Sequence, residues 1–143
     1  MIDVKNFVKM GYSGTVEMVV SEADTASHFG SGRLGDLLAT PSLVKLMIEA
    51  AVKAVDPHLP EGFVTVGTAM HYTHTAPTVV GSTVRATATV SEIIGSYVIL
   101  SITASDNLGV IGSGTHERAI VAYDELLKKS AERAAKIMAI RHL

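Results

Sequence analysis

At 143 residues the chain has the length of one compact domain and leaves no room for a separate regulatory or nucleic-acid-binding module. Hydrophobic residues make up 48% and charged residues 18%, with a mean hydropathy of +0.34, so a core can form and some apolar surface is expected to be covered by a partner subunit. The net charge of −2 offers no basic footprint for nucleic acid, and the absence of cysteine removes disulfides, thiolate nucleophiles and Cys-based zinc sites. No apolar run approaches the roughly 20 residues a membrane span requires, and the start of the chain lacks a basic stretch followed by an apolar run, so a cytoplasmic location is expected.

From Gly14 to Glu22, Val16, Met18 and Val20 alternate with Thr15, Glu17 and Val19, the period of two of a half-buried strand. Ala23 to Asp36 is polar, with Gly30, Gly32 and Gly35 close together and no period, and reads as a mobile loop. Thr40 followed by Pro41 reads as an N-cap and first helical position, opening a helix within Ala39 to Val55. That helix is apolar almost all round, interrupted mainly by Lys45, Glu49 and Lys53, so it must be enclosed. Four strand-like segments follow: Phe63 to Ala76, Ser82 to Ser91, Val98 to Ala104 and Val110 to Tyr123. Their connectors are short and carry Gly81, Gly95 and Gly109, which predicts pairing as antiparallel neighbours. Asp124 to Ile140, rich in Ala, Lys, Glu and Leu, reads as a surface helix. A single apolar helix among strands can bury itself only by lying across one sheet, so the fold class is α+β, an antiparallel sheet wrapped around a central helix with a second helix at the C-terminal end.

Three blocks make the pattern specific. The stretch Leu38-Ala39-Thr40-Pro41, the runs Val66-Gly67-Thr68 and Thr73-His74-Thr75-Ala76-Pro77-Thr78, and the closing Ile111-Gly112-Ser113-Gly114-Thr115-His116-Glu117-Arg118-Ala119 occur in order across one domain. Together they resemble the fluoroacetyl-CoA thioesterase-like group of hotdog-fold proteins. The resemblance covers roughly residues 12 to 124 and implies a single hotdog thioesterase domain over 1–143, with the C-terminal helix at 124–140. It also implies an acyl-CoA substrate, sites between subunits of a homodimer or dimer of dimers, and no cofactor.

The same resemblance implies a catalytic set made of a Thr at the start of the central helix, a carboxylate within that helix and a His on the following strand. Thr40 and His74 match by position. The family's carboxylate position holds Ile48 here, and Glu49 falls one residue later, which turns its side chain by about 100° around the helix. Glu49 is the candidate to orient His74, with Asp36 and Glu117 as substitutes, while Gly67 is implied to hold the thioester carbonyl and Arg118 to bind substrate.

Chemistry supports the set independently. Thioester hydrolysis needs an activated nucleophile or water, a proton shuttle for the leaving thiolate and a donor for the forming oxyanion. Histidine shuttles protons near neutral pH, a residue at a helix N-terminus sits in a field that favours negative charge, and glycine admits a ligand close to its backbone. Each residue also has an ordinary structural reading: Thr40 as a cap, His74 as a hydrogen-bonded strand residue, Gly67 as packing relief, Arg118 as an ion-paired residue, and Lys45, Glu49 and Lys53 as a solvated stripe. His71, His74 and His116 suggest no metal site, because His71 and His74 are three apart on a strand and point to opposite faces. The expected function is hydrolysis of a short acyl-CoA, with His74 as general base or acid and Thr40 as nucleophile or water-positioning group. The alternative is a non-catalytic acyl-CoA-binding module.

Overall fold

A computed structural model describes residues 2–30 and 32–142. The elements are β1 (Ser13–Val19), α1 (Thr40–Val55), β2 (Phe63–His74), β3 (Thr83–Ile94), β4 (Tyr97–Asp106), β5 (Gly109–Ala122) and α2 (Tyr123–Arg141). The five strands form one antiparallel sheet in the order β1-β3-β4-β5-β2, which leaves β2 at an edge. Helix α1 lies across the inner face, as its apolar surface requires. It buries Leu43, Leu46, Met47, Ala50, Ala51, Ala54 and Val55 against the inward residues Val84, Ala86, Val98, Leu100 and Ile102. Each fully buried large side chain among these contributes about 1.5–3 kcal/mol.

Small residues set the approach of helix to sheet. A Cβ on Gly14 would stand 2.6 Å from the Ala50 carbonyl oxygen and 2.7 Å from the Ala54 nitrogen, so β1 runs almost against the helix backbone. Gly112 is similarly enclosed, by the Thr73 carbonyl oxygen at 2.5 Å and by Leu43 and Met47. The residues before β1 join the same core through Val4 and Val8.

Two expectations are corrected. Strands β2 and β3, successive in sequence, are not neighbours: β2 pairs with β5, and β3 lies between β1 and β4. Residues 75–82 therefore cross three strand spacings, about 14 Å, rather than closing a hairpin. They are fixed on the way by bonds from Leu38 N to Thr78 O, Val80 N to Asp36 O and Gly81 N to Val20 O. The Gly-rich stretch before α1 is likewise structured by short 3-10 turns at Glu22–Asp24, Ala26–His28 and Gly32–Leu34, with bridges Thr25 to Leu38 and Leu37 to Val79.

The β2–β5 register shifts between Gly67 and Ala69, so Thr68 bulges from the edge strand. Helix α2 leaves the sheet beside the start of β2, through the Tyr123 N to Gly62 O bond, and buries none of its own residues. Among the described residues no helix is long and apolar enough to cross a membrane.

Candidate active site

Thr40 is not the cap of α1. Ala39 takes that position with extended backbone, and Thr40 and Pro41 form the first turn. The Thr40 hydroxyl, released from capping, lies 2.9 Å from His74 Nδ1. His74 ends β2 opposite Gly112, whose lack of a side chain leaves room between strand and helix. Its other ring nitrogen, Nε2, is buried and makes no hydrogen bond. An imidazole needs a partner on each nitrogen when buried, so this atom is the unsatisfied group of the region. Burial holds the basicity of His74 below the usual histidine value, with the Ala76 backbone opposing the shift. At neutral pH the ring is therefore neutral and able to accept a proton.

Beside this pair opens a cleft of about 270 Å³, walled by Ala26, Leu34, Leu37, Leu38, Ala76 and Pro77. The wall is mostly aliphatic, with Thr40, His74 and Thr75 at the polar side, and among the described residues no acidic or basic chain other than His74 lines it. The helix N-terminus adds its positive end, so a hydroxyl, a neutral imidazole and a field that favours negative charge meet at one position.

Gly67 and Arg118 lie elsewhere. They face each other across β2 and β5, on the same inner side as His74 but displaced along the strand by about 20 Å. Here the polar groups are engaged. Arg118, 7% exposed, donates from Nε to Thr65 Oγ1 at 2.9 Å, from Nη2 to Thr65 O at 3.0 Å and from Nη1 to His116 Nε2 at 3.0 Å. Thr65 in turn donates to Asp56 Oδ1 at 2.5 Å, and His116 Nδ1 meets Ala69 O at 2.9 Å. Burial disfavours the Arg118 charge, and the nearby Asp56 carboxylate offsets part of that effect.

The structure thus joins Thr40 to His74 and Gly67 to Arg118, but it does not join the two pairs within one chain. Nor does it bring Glu49 to His74. Nine residues beyond Thr40, Glu49 points to the opposite side of the helix and sits 3.9 Å from Lys45 in an exposed i, i+4 pair. It borders an open apolar groove with Val44, Ile48 and Tyr72 on the free side of β2. The two substitutes fare no better: Asp36 is exposed, and Glu117 accepts from Thr68 Oγ1 at 2.6 Å. Sequence reasoning passed over Thr65 and Asp56. The period of two places Thr65 on the face of Gly67, but nothing in the sequence shows that Asp56, beyond the helix end, returns to it.

Known proteins share the fold. Residues 20–124 match the family model described as fluoroacetyl-CoA-specific thioesterase. Over 135 residues the chain is 33% identical to fluoroacetyl-CoA thioesterase from Streptantibioticus cattleyicolor, covering 91% of this chain and 97% of that protein. Among solved structures, a hot-dog-like protein from Thermanaerovibrio acidaminovorans superposes with a TM-score of 0.86 at 34% identity, over 92% of this chain and 97% of the other. FlK, in a threonine-to-serine mutant in complex with acetyl-CoA, gives 0.82 at 33% identity, over 88% of this chain and 98% of the other. The architecture described above is that of the hotdog fold.

Proposed function

This chain belongs to the fluoroacetyl-CoA-specific thioesterase family, and from that premise we propose that it hydrolyses a short acyl-CoA at a site completed by two copies of the chain. The observation that carries the reading is the 2.9 Å bond between the Thr40 hydroxyl and His74 Nδ1, beside an aliphatic cleft. A hydroxyl within hydrogen-bond reach of a neutral imidazole is an activated nucleophile.

His74 Nδ1 takes the Thr40 proton as Oγ1 attacks the thioester carbonyl. Collapse of the tetrahedral intermediate expels the CoA thiolate, which receives that proton from His74. Water, deprotonated by the same ring, then attacks the threonyl ester, and His74 returns that proton to Thr40 Oγ1 as the acyl–oxygen bond breaks and the acid is released. The acyl group occupies the cleft, whose walls of Ala, Leu and Pro suit a short aliphatic chain and offer no aromatic ring or charge to select a substituent.

The second copy enters because Gly67 and Arg118 are too far from His74 to serve the same thioester within one chain. Strand β2 is an edge with a free row of backbone groups, and two such edges paired antiparallel about a two-fold near Met70 and His71 bring His74 of one copy toward Gly67 and Arg118 of the other. Gly67 then supplies an oxyanion donor and Arg118 helps bind the substrate. Glu49 has no part in this set.

Thiol release from a panel of short acyl-CoAs tests the proposal. Turnover that is lost in His74→Ala at equal folded concentration supports it. Tight thioester binding with no release from any substrate favours instead a non-catalytic acyl-CoA-binding module, the reading to which the lack of a carboxylate on His74 lends weight.

A further inference from the structure

The polar cluster at the Gly67 end is more elaborate than burial of an arginine requires, and its bond directions can be assigned. A backbone carbonyl only accepts, so the bond to Ala69 O requires a proton on His116 Nδ1. Arginine only donates, so its bond to His116 Nε2 requires a bare lone pair there. His116 is therefore the neutral Nδ1–H tautomer. Thr65 is used on both sides of its oxygen, accepting from Arg118 Nε and donating to Asp56. Three acceptors from two strands, one of them anchored to the carboxylate beyond α1, fix all three guanidinium nitrogens.

What this arrangement holds in place is visible at Gly67. A Cβ there would stand 3.3 Å from Arg118 Nη1 and 3.2 Å from His116 Cε1, so a ligand atom set against the Gly67 backbone would touch the guanidinium. Nη1 carries a second N–H that the bond to His116 does not use. We propose that Thr65, His116 and Asp56 are positioning residues that hold the Arg118 guanidinium in one orientation beneath Gly67, where it meets the CoA thioester. His116 pairs in the sheet with Leu100 on β4 and with Met70 on β2, and its ring lies beside Gly67 and accepts from Arg118.

The inference rests on the reading that Arg118 binds substrate, and two measurements separate its failure from the failure of that reading. The first is independent of activity: in protein labelled with 15N-histidine and assigned with His116→Gln, His116 shows a protonated Nδ1 and a bare Nε2 at neutral pH. An Nε2–H or mixed tautomer overturns the proposal. The second is the affinity for acyl-CoA, read as KM in turnover and by calorimetry with a non-hydrolysable thioester, so that it survives even if no hydrolysis is found. Thr65→Val, which removes the hydroxyl and keeps the shape, weakens binding about tenfold with kcat little changed, and Thr65→Ser restores it. Unchanged affinity in Thr65→Val, or no rescue by Thr65→Ser, overturns it.

Discussion

The two ends of β2 are built on opposite principles. At the His74 end a buried ring nitrogen is left without a partner, next to a hydroxyl and an open cleft. At the Arg118 end a buried cation has every nitrogen engaged and its supports are themselves supported. An unpaired buried polar group costs about 1–3 kcal/mol, so it persists where a reacting partner satisfies it. One held at each of its nitrogens is stiff, which suits a group that keeps a spare N–H in place. Helix α1 reinforces the division, presenting its positive N-terminus near Thr40 and its negative C-terminus near the buried guanidinium and Asp56. In the proposed reading one end reacts and the other holds.

The sharpest test of that division is subunit mixing. His74→Ala and Arg118→Met are each expected to lose activity, the first by about a thousandfold, as a removed proton shuttle does. In the proposed arrangement the two ends meet across copies, so random mixing of the two inactive proteins is expected to restore about a quarter of wild-type turnover, from mixed dimers holding one intact site. Absence of recovery would place both ends in a single-chain site and break the comparison.

The glycines opposite each end sharpen it. In Gly112→Ala the new methyl meets the Thr73 carbonyl oxygen, which cannot yield, and stability measured by urea unfolding drops by about 3 kcal/mol. In Gly67→Ala the obstacle is the His116 and Arg118 side chains, so stability falls by about 1 kcal/mol while KM rises. Equal effects on both quantities at both positions would erase the distinction.

Acidification acts at both ends. Burial holds His74 and His116 below the ordinary value of 6.5, and for His116 the Arg118 charge adds to the effect. Between that lowered value and 6.5 the unfolded chain binds more protons than the folded one, so stability rises with pH through this window and is flat above it. The acid limb of kcat/KM is expected to fall below pH 6.5, because the base must be neutral. A limb above 6.5 would mean that His74 is not desolvated in the working enzyme. The smallest effect belongs to Glu49→Gln. Its exposed pair with Lys45 contributes less than about 0.5 kcal/mol, and kcat is expected to stay within about twofold. A large loss of kcat would bring Glu49 back to the chemistry, from the open side of β2.

Much of the fold was legible because burial has a period. The alternation in Ser82 to Ser91 and the apolar run from Leu43 to Val55 each admit one solution, a half-buried strand and an enclosed helix. The crossing from β2 to β3 was not legible, since a short Gly-bearing connector reads locally as a hairpin and only the competing partners β1 and β5 decide otherwise. At the site, the structure brings together Thr40 and His74, which their blocks singled out, but cap and first-turn positions differ by one residue, and that residue decides whether the hydroxyl caps the helix or bonds the histidine. The separation of His74 from Arg118 was hidden for a different reason. Distance along a strand is readable, but one sequence does not display the second copy on which the proposed meeting of the two ends depends.

The bulge at Thr68 has a consequence for how this chain can change length. Gly67 and His74 are seven positions apart, an odd count that in a regular strand would send them to opposite faces. The extra residue corrects the parity, so both look toward the helix. Deleting Thr68 would leave each functional side chain chemically intact and turn either the reacting end or the holding end outward. Between these two residues the count can change only in steps of two.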